Sequence, residues 1–334
     1  MLERLAAIAP EEADRYGTGE PVERLEARVA TLLGKEAAVF MPSGTMAQQI
    51  ALRIHADRRG LRTVAFHPTS HLELHEEKAY ERLHGLHATL VGAPTALLTL
   101  ADLERVREPL AALLLELPQR EIGGRLPEWH ELEAQAAWAR ERNVALHLDG
   151  ARLWEAAPYY ERPHSEIAGL FDTVYVSFYK GLGGIAGCAL AGPGDVIAEA
   201  RVWQARHGGR LLSLYPLVLS AELGLDRFLP RMPEYHRHAV AVGAELNVRD
   251  GIEVVPDPPQ TPMMHVHLRG DRERLIAAAV DLAEERKVWL FDRLRVTALP
   301  TVCVHELGIG EASLTFTAAE IAALYGEVVE RAAK

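Results

Sequence analysis

Val174-Tyr175-Val176-Ser177-Phe178-Tyr179-Lys180-Gly181-Leu182-Gly183-Gly184 is the stretch on which the rest of the chain turns. A β-rich run ends in a lysine, and glycines follow at once, so the backbone can turn tightly and close in on whatever the lysine holds. Ala186 to Gly192 reads as a second strand of small apolar residues, which leaves Lys180 half buried. Burial strips water from an ammonium and lowers its pKa, so Lys180 is a candidate nucleophile toward a carbonyl. The alternative for this stretch alone is a lysine that snorkels from a strand end into solvent.

Working outward, the same strand, turn and helix pattern recurs upstream. Val22 to Leu33 has apolar residues at helical spacing with Gly34 as a stop, and Ala37-Ala38-Val39-Phe40 reads as a strand. Pro42-Ser43-Gly44-Thr45 then opens a helix of small and apolar residues from Met46 to His55. Backbone N–H groups, two hydroxyls and the positive end of a helix dipole converge there, which suits an anion such as a phosphate; a plain N-cap is the alternative. Thr63 to Phe66 is a further strand, and the histidine-rich segment His67 to Glu77 follows it. His71, His75 and Glu76 share a face if the segment is helical, but no His-Glu-x-x-His order accompanies them and no metal is expected. Ala112 to Leu117 is a buried-type strand whose polar loop, Pro118 to Gly124, lies where open α/β sheets place ligands. A helix from Pro127 to Asn143 feeds the strand Val144 to Leu148, which ends in Asp149-Gly150-Ala151-Arg152.

This alternation predicts an α/β fold with a mostly parallel sheet covered on both faces. After Arg210 the pattern changes to helices and shorter strands, near Glu253 to Val255, His265 to Leu268 and Thr301 to Val304, with helices at Arg272 to Arg286 and Ala318 to Ala332. We therefore divide the 334 residues into a large domain, 1–236, and a small C-terminal domain, 237–334.

Composition narrows the function. The net charge of −11, with no basic block, argues against a nucleic-acid partner. The two cysteines, Cys188 and Cys303, offer neither a disulfide framework nor metal-ligand spacing. Neither a basic-then-apolar leader at Met1 to Leu5 nor an eighteen-residue apolar run is present, so the expectation is a cytoplasmic protein without a membrane partner.

One cofactor needs all the parts above. Pyridoxal phosphate requires a lysine, a carboxylate to keep its ring nitrogen protonated, and a helix N-terminus for its phosphate. Lys180, Asp149 and Ser43-Gly44-Thr45 supply them from three β–α connections. The guanidinium of Arg152 suits a substrate carboxylate.

The chain resembles the threonine aldolases of the β-eliminating lyase branch, whose fold is the aminotransferase-like fold type I with a mostly parallel seven-stranded sheet. The resemblance rests on Tyr16-Gly17, Gly34 to Phe40, Pro42-Ser43-Gly44-Thr45, His71 with Glu76, His147 to Arg152, Lys180-Gly181-Leu182-Gly183 and Arg206-His207-Gly208-Gly209-Arg210. It implies that Lys180 holds the cofactor, that Asp149 pairs with its ring nitrogen, and that His71 stacks on the ring near the substrate's β-hydroxyl. It further implies that Ser43, Gly44, Thr45 and Ser177 hold the phosphate and that Arg152 meets the substrate carboxylate. Arg210 would act at a neighbouring subunit's site in a homodimer or homotetramer. Gln119, His75 and Glu76 complete the candidate substrate residues.

Three departures from the family pattern touch substrate binding. The chain starts too late for the N-terminal Asp-Leu-Arg-Ser-Asp-Thr strand. Glu116-Leu117-Pro118-Gln119 stands where the family has Glu-Asn-Thr-His, and the small-domain arginine has no secure counterpart, although Arg295 precedes Val296-Thr297. The expected activity is retro-aldol cleavage of a threonine-like β-hydroxy-α-amino acid to glycine and an aldehyde, with His71 as the base. The alternatives are β-elimination or another α-carbon reaction such as racemisation, and a non-catalytic pyridoxal phosphate fold.

Overall fold

The Lys180 stretch leaves the middle of a seven-stranded sheet. In the computed structural model, which describes residues 13–334, the strands are β1 (Ala37–Met41), β2 (Thr63–Phe66), β3 (His87–Leu90), β4 (Ala112–Glu116), β5 (Ala145–Gly150), β6 (Thr173–Ser177) and β7 (Cys188–Gly192). Their spatial order is β1-β7-β6-β5-β4-β2-β3. The pairs from β3 through β6 are parallel, and β7 runs antiparallel to both β6 and β1. This is the mostly parallel seven-stranded sheet of the expectation. Strand β3 escapes a sequence reading because it is a short edge strand with both ends exposed and no apolar run.

Helix α1 (Glu20–Leu33) forms because Val22, Leu25, Val29 and Leu33 fall on one stripe, all of them buried. Each such side chain contributes about 1.5–3 kcal/mol by leaving water. Gly34 ends the helix at φ 61°, a left-handed conformation that glycine adopts without penalty. Helices α2 (Gly44–Arg59) and, after α3 (Trp129–Glu141), α4 (Gly194–Arg206) pack Ala47, Ile50, Ile54, Ile197 and Ala200 against Val39, Met41, Tyr175 and Leu190 of the sheet.

Strand β1 is an edge, and an edge leaves backbone groups unpaired. Side chains satisfy them here. Glu26 accepts the Phe40 N–H at 2.8 Å, Gln204 donates to the Phe40 carbonyl at 2.8 Å, and Arg201 donates to the Ala38 carbonyl at 3.3 Å. Arg201 also pairs with Glu26 at 2.5 Å, so the buried carboxylate is neutralised where it works. Next, α5 (Tyr215–Arg227) begins on the buried carboxylate of Asp14, which accepts the N–H groups of Leu214 and Tyr215 at 2.7 Å each.

The chain divides into two compact units, one reaching Arg231 and a second made of Ile122–Arg125 with Met232–Lys334. Gly123 and Gly124 explain why the four-residue segment joins the second unit. Both have positive φ, and a Cβ on Gly123 would lie 2.4 Å from the Val255 carbonyl oxygen, so only glycine lets the backbones approach. The second unit carries α6 (Met232–Asn247), β8 (Ile252–Val255), β9 (Met263–Arg269), α7 (Arg272–Arg286), β10 (Arg295–Val296), β11 (Val302–Gly308) and α8 (Ala318–Ala332). Its sheet is antiparallel, ordered β10-β11-β9-β8. Asp271 caps α7, accepting two backbone N–H groups at 3.0 Å, and Thr317 with Glu320 forms a capping box on α8. These signals are local, which is why both helices match their sequence-read spans. Arg295 lies on β10 beside His265, its Nη2 3.1 Å from the ring Nε2.

Candidate active site

A cavity of about 300 Å3 opens in the larger unit, lined among others by Ser43, Gly44, Thr45, Gln48, His71, Glu76, Asp149, Tyr175, Tyr179 and Lys180. Parallel strands end here together, and the turns that follow them bring side chains distant in sequence to one place.

The turn between β1 and α2 presents its donors inward. Ser43 is the N-cap residue with extended backbone, yet its side chain makes no capping bond, and the amides of Gly44 and Thr45 make no hydrogen bond among the described residues. Gly44 must be glycine, because a Cβ there would lie 2.1 Å from the Tyr175 hydroxyl. A helix N-terminus with unspent amides and two adjacent hydroxyls is a seat for an anion.

Asp149 is the penultimate residue of β5 and is 2% exposed, with Oδ1 accepting the Ala151 N–H at 3.1 Å. Burial raises its pKa, while the charges of Lys180 and His71 oppose the rise. Lys180 follows β6 by three residues. Burial lowers its pKa, Asp149 counteracts this, and Arg152 lies close enough to lower it further. Desolvation thus weakens the grip of the ammonium on its proton, the condition for a nucleophilic amine.

His71 begins a short helix, His71–Leu74, and its Nδ1 lies 2.9 Å from Glu76 Oε1. A carboxylate only accepts, so Nδ1 carries the hydrogen and Nε2 is left as the accepting nitrogen. Gln49 donates to the other oxygen of Glu76 at 3.2 Å and holds it in place. Because the helix stops at Leu74, His71, His75 and Glu76 do not share a helical face as their spacing suggests. Glu76 reaches the cavity after the helix has ended. His75 turns away to Glu121 at 3.0 Å and does not line the cavity.

Gln119 is also elsewhere. Its amide donates to Thr69 Oγ1 at 3.2 Å and to Glu116 at 3.1 Å, and it lines a separate small cavity with His67, Ser70 and Glu116. Ser177 is buried and is not among the residues that line the main cavity, and its carbonyl accepts Trp154 Nε1 at 2.9 Å. Arg152 is not part of the lining. Arg210 is exposed, with Nε 3.3 Å from the Tyr16 carbonyl oxygen. Gln48, Tyr175, Tyr179 and Glu116 are site residues that the sequence reading misses. Gln48 was findable as the residue one turn after Gly44, and Tyr175 by strand alternation with Ser177.

Glu116 faces Asp149 in register across β4 and β5. Its carboxyl accepts Arg120 N–H at 3.1 Å and the Gln119 amide. Burial, then the Asp149 charge, pushes Glu116 up to about 8, so it keeps its proton at neutral pH. The residues fit pyridoxal phosphate: an anion seat that tolerates no Cβ, a buried carboxylate and a desolvated amine share one cavity. No cluster of three or more metal-ligating side chains occurs among the described residues, and no helix of theirs is long and apolar enough to cross a membrane.

Comparison with known proteins agrees with this geometry. The profile of the β-eliminating lyase family matches residues 1–269. A provisionally named L-allo-threonine aldolase from Listeria monocytogenes superposes with a TM-score of 0.94 at 42% identity, over 99% of this chain and 92% of that one. A provisionally named aromatic amino acid β-eliminating lyase/threonine aldolase from Exiguobacterium gives the same TM-score of 0.94 and 42% identity, over 99% and 93%. The low specificity L-threonine aldolase of Escherichia coli K12 is 32% identical over 252 residues, 74% of each chain. The chain belongs to the β-eliminating lyase and threonine aldolase family of pyridoxal phosphate-dependent carbon–carbon lyases.

Proposed function

We propose that this chain cleaves a β-hydroxy-α-amino acid of the threonine kind to glycine and an aldehyde. The observation that carries the reading is one cavity shared by Lys180, Asp149, the Ser43-Gly44-Thr45 turn and the His71–Glu76 pair. Its cofactor is pyridoxal phosphate, whose chemistry is that of a protonated ring able to accept the electrons released when a bond at the substrate's α-carbon breaks. The protein's residues divide the rest of the work. Lys180 supplies the amine that holds the cofactor, and Asp149 keeps a proton on its ring nitrogen. The Gly44 and Thr45 amides, with the Ser43 and Thr45 hydroxyls, bind the phosphate, and Ser177 stands close behind. His71 Nε2 takes the proton of the substrate's β-hydroxyl, because Glu76 occupies Nδ1 and fixes that nitrogen as the acceptor. Arg152 is the partner for the substrate carboxylate. In a homodimer or homotetramer working in the cytoplasm, Arg210 extends to the neighbouring subunit's phosphate. Residues 1–236 form the cofactor domain and residues 237–334 the small domain in this reading.

β-Elimination is the second reading, favoured by Gln119: both hydrogens of its amide go to Thr69 and Glu116, so it donates none to the β-hydroxyl. The test is product analysis with cofactor-loaded protein and L-threonine, L-allo-threonine, phenylserine, serine and cysteine. Glycine plus an aldehyde is the expected outcome. Ammonia plus a keto acid without glycine moves the protein to the eliminating enzymes.

A further inference from the structure

Behind the phosphate seat runs a line of buried polar side chains that the reaction described above leaves unused. His55 Nε2 lies 2.8 Å from Thr173 Oγ1, which lies 2.8 Å from His147 Nδ1, and His147 Nε2 lies 2.6 Å from Gln48 Oε1. Thr173 and His147 are 0% exposed, Gln48 1% and His55 6%. Burial lowers the His147 pKa to about 3 and that of His55 to about 4, so both rings are neutral at working pH and each carries one hydrogen.

Hydrogen-bond logic gives the line a direction. An amide oxygen can only accept, so the hydrogen of His147 is on Nε2 and its Nδ1 accepts. Nδ1 then takes the hydrogen of the Thr173 hydroxyl, whose oxygen in turn accepts from His55 Nε2–H. The line therefore holds Gln48 by its oxygen and turns its NH2 away from His147. Gln48 lines the cavity with Ser43, Gly44 and Thr45, and its amide nitrogen has no hydrogen-bond partner among the described residues. Four residues after Gly44 on α2, its side chain leans back over the helix's first turn. Neither carboxylate of the cavity, Asp149 or Glu76, accepts a hydrogen bond from it among the described residues. A nearly buried donor left unpaired costs free energy, which a ligand acceptor would recover.

We infer that Gln48 is a positioning residue for the cofactor: its side-chain N–H donates to the phosphate seated on the α2 N-terminus, and the His55–Thr173–His147 line keeps the amide from presenting its oxygen there. This rests on the reading of the cavity as the pyridoxal phosphate site. It extends the phosphate seat by a full helical turn, with a neutral donor that no change of pH in the working range removes.

The test uses full-length apo protein, wild type and the Gln48→Ala, Gln48→Glu and Thr173→Val variants, each with circular dichroism matching wild type. Each is titrated with pyridoxal phosphate and with pyridoxal, which lacks the phosphate, and Kd is read from the cofactor's absorbance. Gln48→Ala is expected to weaken pyridoxal phosphate by about tenfold or more, the usual worth of a hydrogen bond to a charged group, and to leave pyridoxal unchanged. Gln48→Glu keeps the oxygen that accepts from His147 but turns a second oxygen toward the phosphate, so it weakens binding further. Thr173→Val releases the His147 ring and gives a smaller loss in the same direction. Equal losses for both ligands, no loss in Gln48→Ala, or wild-type binding by Gln48→Glu overturns the inference. If wild type itself fails to bind pyridoxal phosphate, the cofactor reading falls instead.

Discussion

The two sides of the cavity are built differently. On the cofactor side, Asp149 lies on β5, Lys180 three residues past β6 and the Ser43-Gly44-Thr45 turn just past β1, all strands of one sheet. On the other side, His71 and Glu76 come from a four-residue helix and the turn after it, Arg152 directly follows Ala151 of the lining, and Gln119 lines a separate small cavity. A site tied to sheet ends is rigid because moving it means breaking a ladder of hydrogen bonds, whereas a site on short connections can be re-aimed by one or two residues. One framework can thus keep its cofactor while its substrate changes.

The sharpest way to break this contrast is Asp149→Ala. It removes the carboxylate proposed above to keep the ring nitrogen protonated, and kcat/KM for glycine release should fall by about a thousandfold or more. A loss of under about tenfold would mean that Asp149 does not serve the ring. His71→Ala comes next, with a loss of about a hundredfold in kcat and a smaller change in cofactor Kd. Glu76→Gln should cost about tenfold, because an amide can turn its NH2 to Nδ1 and reverse the tautomer. If Glu76→Gln matches His71→Ala in full, the carboxylate acts directly and not through the ring.

Gly44→Ala probes the rigid side by packing. The new methyl meets the Tyr175 hydroxyl at 2.1 Å, so apo stability should fall by about 1–3 kcal/mol in urea titrations, together with cofactor affinity. Unchanged stability would show that the turn yields as readily as the loop side.

Glu116 provides a test by pH. Its folded pKa of about 8 lies above its ordinary 4.5, so the stability it contributes is complete below about 4.5 and is lost as pH rises through about 8. Thermal melting of the apo protein should show this decline, and Glu116→Gln should flatten it. An identical profile in the variant would mean that Asp149 holds the shared proton. The smallest effect on turnover belongs to Gln119→Ala, expected within about threefold of wild type with a stability loss of about 1 kcal/mol, since its amide serves Thr69 and Glu116. A loss near that of Asp149→Ala would put Gln119 in the reaction.

What could be read in advance follows the same division. The strand, turn and helix around Ser43 to Thr45 was legible because alternation, a glycine and a helix start are local signals. So were α7 and α8, whose caps lie within four residues of the helices they start. The candidate face of His71, His75 and Glu76 was misjudged because spacing assumes a helix that continues, and this one stops at Leu74. Nothing in Gln119 announces that its donors are taken, since Thr69 lies fifty residues away in sequence.

Read alone, the chain shows most of its elements though not the edge strand β3, the alternation that makes a covered parallel sheet, and the residue types a pyridoxal phosphate site needs, because these depend on contacts between near neighbours in the chain. Only the tertiary structure decided which polar groups still have a hydrogen bond to give. Gln48 and Gln119 are chemically identical, and one faces the cavity with a free donor while the other has none to spare. Hydrogen-bond satisfaction belongs to the neighbourhood: His147, 99 residues from Gln48 in the chain, takes the oxygen end of its amide, and Thr173 holds that ring in turn.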